Sequence, residues 1–247
     1  MVISSEQVKQ YFNEGYTVLE GVIPEEHLAA LRDEAQRHID SMHAEMDAQN
    51  TDTLGISHRG KRYFVANKHA KSAVLQDFLF SDFMAEICAS ILGDTVYLFY
   101  EQYVIKAAEK GMKFGWHQDS GFIGFEHEPY LSCWCALDDM TEENGTIYVL
   151  PYERAGTRKL VEHVVEEGSN DRVGYHGDDP GVPVIVPAGS IALFSSLTFH
   201  RSGMNTTPNM RRSYLAQYSP VPIGNEDESK GTATLAVPFL RKGKPVR

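Results

Sequence analysis

The sequence predicts a mainly β fold, an all-β barrel or sandwich standing behind a helical front, and three observations carry that prediction. From Thr95 onward the apolar residues fall in short runs punctuated by turn residues, whereas before it they mostly recur at helical steps. With 247 residues and 42% hydrophobic content, the chain can bury one sizeable core, and single β barrels often reach this length. Two segments far apart in sequence, Trp116-His117-Gln118-Asp119 and Phe199-His200-Arg201-Ser202, carry side chains whose chemistry requires the chain to return beside itself. One domain over 1–247 is expected, divided into a helical buttress with loops (1–94), the barrel core (95–220) and a C-terminal extension (221–247).

In the front third, Ser4 and Gln7 form the pattern of a capping box for a short helix to about Asn13, which Glu14-Gly15 ends. Tyr16-Thr17-Val18-Leu19 reads as a strand. Pro24, placed at a first helical position, opens a second helix whose Leu28, Leu31, Ala35, Ile39 and Met42 share one buried face. Residues 47–60 are polar and loop-like, and Val74 to Leu92 reads as one further helix closed by Gly93. The whole segment is expected to lie outside the barrel.

Strands follow near 96–106, 114–118, 131–138, 146–150, 183–186, 190–195, 198–202 and 211–219. Asn144-Gly145 is a two-residue hairpin signal between the third and fourth of these. The long loop from Gly168 to Gly181 is acidic and Gly-bearing, and such loops serve either as lids or as mobile insertions.

The formal net charge of −11, with no run of basic residues longer than a pair, argues against nucleic acid and anionic membranes as partners. The opening residues carry no apolar leader, and the chain nowhere has 18 apolar residues together. Cys88, Cys133 and Cys135 are an odd set that cannot be fully paired within the chain, so free, buried thiols in a cytoplasmic protein are expected.

Residues two apart on a strand point to the same face, so His117 and Asp119 can aim at one point, and His200 can join them from another strand. Two histidines and a carboxylate on one face of a metal suit non-haem Fe(II) and its oxygen chemistry. His-x-Asp occurs three times, however. In His38-Ile39-Asp40 the pair lies on a helix, where positions two apart diverge by about 200°, and the reading is a solvated helix face. His176-Gly177-Asp178 sits in the Gly/Asp-rich loop with too little chain before His200 for the intervening strands. On the strand after His200, Arg211-Arg212 brings a basic residue near the metal, able to grip one carboxylate of a dicarboxylic keto acid while its other end ligates the metal. Strand alternation alone does not choose between the two arginines, because the face of Tyr214, Ala216 and Tyr218 is the more apolar.

Phe12-Asn13-Glu14-Gly15-Tyr16, Trp116-His117-Gln118-Asp119, Glu143-Asn144-Gly145 and His200-Arg201-Ser202-Gly203 with Arg211, in this order and across nearly the whole chain, resemble the phytanoyl-CoA dioxygenase family of Fe(II)/2-oxoglutarate oxygenases. The resemblance implies a double-stranded β-helix, a jelly-roll barrel. It implies Fe(II) on His117, Asp119 and His200, with 2-oxoglutarate and O2 as co-reactants and ascorbate supporting activity. It assigns Arg211 to the far carboxylate of 2-oxoglutarate, adds Ser202 as a hydroxyl donor, and places Trp134 and Gln102 in the wall of the same pocket. Arg62 is a further residue able to reach the pocket, against a solvated arginine as the ordinary alternative. Tyr63, Phe64, Tyr97, Phe99, Tyr103 and Phe122 are candidate walls.

The chain departs from the family at Pro151-Tyr152-Glu153-Arg154, which stands where many members have Pro-Gly-Ser-His. With no basic cluster for phosphates, a coenzyme A thioester fits poorly, and the expected reaction is oxidation of a C–H bond in a small metabolite. The rivals are a metal-dependent cupin-like hydrolase or isomerase, which Arg211 and Ser202 disfavour, and a silent small-molecule binder, which the intact triad disfavours.

Overall fold

The computed structural model describes residues 2–109, 111–166, 171–224 and 236–246. Helix α1 (Ser5–Glu14) has the expected capping box, Ser4 Oγ accepting from Gln7 N at 3.2 Å and Gln7 Oε1 from Ser4 N at 2.9 Å. It ends at Gly15, whose φ of +87° lets the chain turn directly into β1 (Tyr16–Leu19). Helix α2 (Glu25–Ala48) follows, with Pro24 one position earlier than expected, in an extended conformation at the N-cap. Leu28, Leu31, Ala35 and Ile39 are buried as the periodicity requires. Truncating the fully buried Leu31 to alanine would cost about 2–5 kcal/mol.

Next come β2 (Thr53–Leu54), β3 (Ser57–His58) and β4 (Arg62–Ala66). The single helix expected over 74–92 is two, α3 (Ala73–Leu79) and α4 (Asp82–Leu92), because Ser81 breaks the run and caps the second by accepting from Met84 N at 3.2 Å. Then follow β5 (Val96–Lys106), β6 (Phe114–His117), β7 (Leu131–Ala136), β8 (Ile147–Leu150) and a single helical turn, α5 (Tyr152–Ala155), at the point of departure from the family pattern. The chain closes with β9 (Val164–Val165), β10 (Arg172–Val173), β11 (Val182–Pro183), β12 (Ile191–Ser195), β13 (Phe199–Ser202), β14 (Arg211–Ser219), β15 (Val237–Arg241) and β16 (Lys244–Pro245).

A larger antiparallel sheet runs β1-β12-β7-β14-β5-β4-β3-β2, with β15 also paired to β5 and β16 to β15, and a smaller one runs β11-β8-β13-β6. From β5 to β8 and again from β11 to β14 successive strands alternate between the two sheets, the jelly-roll arrangement expected, while β9 and β10 pair with each other. Helix α2 packs on the outer face of the larger sheet, its Leu31 and Ile39 sharing a core with Tyr103, Ile105, Cys133, Tyr214 and Tyr218. The opposite face looks into a cavity between the sheets. All three cysteines are free and buried. Among the described residues no helix is long and apolar enough to cross a membrane.

Several expectations are corrected. The front third is not wholly outside the barrel: β1 pairs with β12 at one edge of the larger sheet, and β4 pairs with β5 and carries β3 and β2 at the other end. Residues 53–58 within the expected loop form the β2–β3 hairpin. Asn144-Gly145 does not close a hairpin, since β7 and β8 belong to different sheets. Instead Asn144 Oδ1 accepts from Thr141 N at 3.0 Å, a side-chain turn that carries the chain from one sheet to the other. The C-terminal extension includes β15, paired to β5; residues 225–235 of that expected segment, and 168–170 of the expected lid loop, lie outside the described residues. Of the loop's remainder, Arg172 and Val173 pair with β9.

Candidate active site

Alternation along β5, β13 and β14 sets the site. Gln102, Val104 and Lys106 line the cavity while Tyr103 turns into the outer core. On β14 the phase falls so that Arg211, Leu215 and Gln217 face the cavity, and Tyr214, Ala216 and Tyr218 face the core, which resolves the choice between the two arginines. Arg212, on the other face, forms a two-pronged ion pair with Asp138, at 3.0 Å from Nε and 2.6 Å from Nη2.

At one end of the cavity, His117 on β6 stands directly opposite His200 on β13, and Asp119 follows in a short 3-10 turn. The three offer ligand atoms within 4.8 Å of one another, and all three are buried. Asp119 Oδ1 lies 3.8 Å from His117 Nε2 and 3.5 Å from His200 Nε2. The other ring nitrogens approach backbone carbonyls, Gly115 O at 2.8 Å from His117 Nδ1 and Thr198 O at 3.1 Å from His200 Nδ1. A carbonyl can only accept, so each Nδ1 carries the proton and each Nε2 presents a lone pair. Burial, then the neighbouring His200, lowers the His117 pKa well below its ordinary value, which holds the ring in the neutral, ligating form. Three acceptor atoms converging with no proton among them fit a divalent cation.

Arg211, 1% exposed, lies farther into the cavity. Its Nη2 donates to Gly145 O at 2.8 Å and its Nη1 to Ser213 Oγ at 2.9 Å, while its Nε is buried with no partner. Burial lowers its pKa to about 10, so it stays charged at neutral pH. A fixed guanidinium with an unanswered donor fits the free carboxylate of a keto acid. The Arg211 guanidinium stands 5.7 Å from the Trp134 ring centre, and Trp134, Gln102 and Ser202 all line the same cavity of about 280 Å³.

Of the candidate walls, Phe64, Phe99 and Phe122 line the cavity. Tyr63 and Tyr103 do not, because alternation turns them outward, where they meet His43 at 2.8 Å and the Leu31 carbonyl at 3.1 Å; Tyr97 is absent from the lining as well. Arg62 is not solvated: it is 8% exposed and lines the cavity. His38 is half-buried against Glu34, not on a solvated face, while Asp40, His176 and Asp178 are exposed and do not belong to the ligand cluster found among the described residues.

The sequence reading missed three residues. Lys106, 3% exposed, donates from Nζ to Ser202 Oγ at 2.9 Å and to the Gly203 carbonyl. Gln217 and Ser132 both donate to Asp119 Oδ2, at 2.9 and 2.6 Å. The signal for two of them was present: stepping by two from Gln102 reaches Lys106, and from Arg211 reaches Gln217. Ser132 depended on which strands neighbour one another.

The profile of the phytanoyl-CoA dioxygenase family matches residues 11–213. The chain is 23% identical over 236 residues to the peroxisomal phytanoyl-CoA dioxygenase of Rattus norvegicus, covering 88% of this chain and 68% of the rat enzyme. It is 26% identical over 239 residues to the ectoine dioxygenase of Bordetella bronchiseptica, covering 88% and 75%. In three dimensions it is similar to the non-heme alpha ketoglutarate dependent carbocyclase SnoK from nogalamycin biosynthesis, with TM-score 0.68 and 18% identity over 98% of this chain and 96% of that one.

Proposed function

The chain belongs to the phytanoyl-CoA dioxygenase family and is a non-haem Fe(II)/2-oxoglutarate-dependent dioxygenase, and on that premise we propose that it oxidises an unactivated C–H bond of a small organic metabolite. One observation carries the reading: the His117, Asp119 and His200 ligand atoms converge in the same cavity into which the buried, partnerless Nε of Arg211 is set. His117 Nε2, Asp119 Oδ1 and His200 Nε2 would hold iron on one face. With 2-oxoglutarate and O2 the iron supplies an oxidant strong enough to remove hydrogen from carbon.

The chain's own residues supply geometry and dryness. The carbonyls of Gly115 and Thr198 accept from the two Nδ1–H groups and fix both imidazole planes. Arg211 takes the far carboxylate of the cosubstrate, with the Ser202 hydroxyl free to donate beside it, since its oxygen already accepts from Lys106. Trp134 and Gln102 close the pocket around the cosubstrate. Phe114 and Phe122, with ring centres 4.7 and 5.4 Å from His117, flank that ligand on the cavity side and would limit water at a bound metal. Hydroxylation is the commonest outcome of such chemistry; small-metabolite relatives such as the ectoine dioxygenase support this scale of substrate. Ascorbate would keep the iron reduced, and the three buried free thiols suit a cytoplasmic setting.

The test is spectroscopic first. Anaerobic protein with Fe(II) and 2-oxoglutarate should develop the weak visible charge-transfer band of a chelated keto acid, and His117→Ala or His200→Ala should abolish it. Tight zinc binding with no band on iron would replace this reading with a hydrolase. A metabolite screen for stimulated 2-oxoglutarate consumption then identifies the substrate.

A further inference from the structure

Building on the Fe(II)/2-oxoglutarate reading, we propose that the substrate is itself an acid, a small carboxylate or comparable anion with an apolar body, whose charged group is held by Arg62. Strands β4, β5 and β14 lie side by side, and Lys106 is paired in register with both Arg62 and Arg211. Three basic side chains therefore stand abreast on the cavity face, 8%, 3% and 1% exposed for Arg62, Lys106 and Arg211. Like charges directly opposite one another on a sheet are destabilising, and buried charges are kept where counter-charge reaches them.

Among the described residues one buried carboxylate reaches this group: Asp171 Oδ1 lies 3.9 Å from Arg62 Nη1, within ion-pair but beyond hydrogen-bond distance, while Arg62 Nε donates to the Ile56 carbonyl at 3.1 Å. Asp171 Oδ2 in turn accepts from Gly115 N at 3.0 Å. Of the two carboxylates of 2-oxoglutarate, one goes to the iron and one to Arg211, which leaves the fork of Arg62 to a different anion. An apolar path joins that fork to the metal ligands. The Arg62 guanidinium lies 5.5 Å from the Phe64 ring, Phe64 lies 6.4 Å from Phe114, and Phe114 lies 4.7 Å from His117. An acid anchored at Arg62 with its body along Phe64 and Phe114 brings a carbon before the iron, and the charge of the anchor selects against neutral and cationic molecules of the same shape.

A set of aryl- and alkylcarboxylic acids, each with its primary amide, is titrated into the anaerobic Fe(II)/2-oxoglutarate protein, following the perturbation of the visible band. Acids should bind and their amides should bind at least about 30-fold more weakly, the loss expected when a charge-assisted bond to a buried carboxylate is removed. Arg62→Gln, which keeps a polar head of similar reach, should erase the preference for acid over amide. Amides binding as well as acids, no acid binding at all, or an Arg62→Gln protein with undiminished preference would each overturn the proposal. Failure of the band to form in the wild-type protein before any acid is added is a separate result, and refutes the iron and 2-oxoglutarate reading itself.

Discussion

The Gln217 side-chain amide donates to Asp119 Oδ2 at 2.9 Å, from the same cavity face of β14 that carries Arg211. With Ser132 Oγ on the same oxygen at 2.6 Å, Oδ2 is saturated and Oδ1 is left toward His117 and His200. A carboxylate held this way is a single-oxygen ligand with a fixed direction. Gln217→Leu should therefore weaken Fe(II) or Mn(II) binding by about 10- to 100-fold while the protein remains folded, as read by metal titration and circular dichroism. Unchanged metal affinity would mean that Ser132 alone orients the ligand.

Arg211→Leu should raise the apparent KM for 2-oxoglutarate by at least about 30-fold, because a buried carboxylate loses its charge-assisted partner. Arg212→Leu should leave that KM near the wild-type value and lower the melting temperature instead, since Asp138 loses its two-pronged side-chain partner and keeps the Arg212 backbone N–H and a longer contact with Arg32. Equal effects on KM would contradict the register found for β14.

Lys106 gives the cosubstrate a pH dependence. Burial first, then the charges of Arg211 and Arg62, push its pKa well below the ordinary value near 10.4, with Asp171 opposing them weakly. An anion arriving beside it favours the charged form. Binding of 2-oxoglutarate therefore takes up a proton wherever the free protein has lost it, and affinity falls as pH rises through the window between the lowered and the ordinary value. Calorimetry in two buffers of different ionisation enthalpy at mildly alkaline pH should show proton uptake in the wild type and much less in Lys106→Met; equal uptake in both would discard the linkage.

Gly145 ties the inter-sheet turn to the cosubstrate. Its φ is +78°, and a Cβ there would come within 2.6 Å of the Gly203 carbonyl, while its own carbonyl accepts from Arg211 Nη2 at 2.8 Å. Gly145→Ala should cost about 1–3 kcal/mol of stability and raise the KM for 2-oxoglutarate together, as measured by denaturant unfolding and steady-state kinetics. A stability loss with KM untouched would show that the turn relaxes without moving Arg211.

What the sequence determined by itself was local or carried by short spacing. The α1 capping box, the ends of β5, the buried stripe of α2, and the pairing of His117 with Asp119 all follow from neighbouring residues, because periodicity and capping act within a few positions. His200 and Arg211 were legible through their motif context, not through geometry. The tertiary structure alone decided which strands became neighbours. It put β1 and β4 into the larger sheet and made Asn144-Gly145 a passage between sheets where its local chemistry promised a hairpin. It also set Lys106 between Arg62 and Arg211, and Gln217 and Ser132 on one oxygen of Asp119. The physical reason is that strand register between distant segments is fixed by burying one face of each strand across the whole sheet, a condition no local stretch contains.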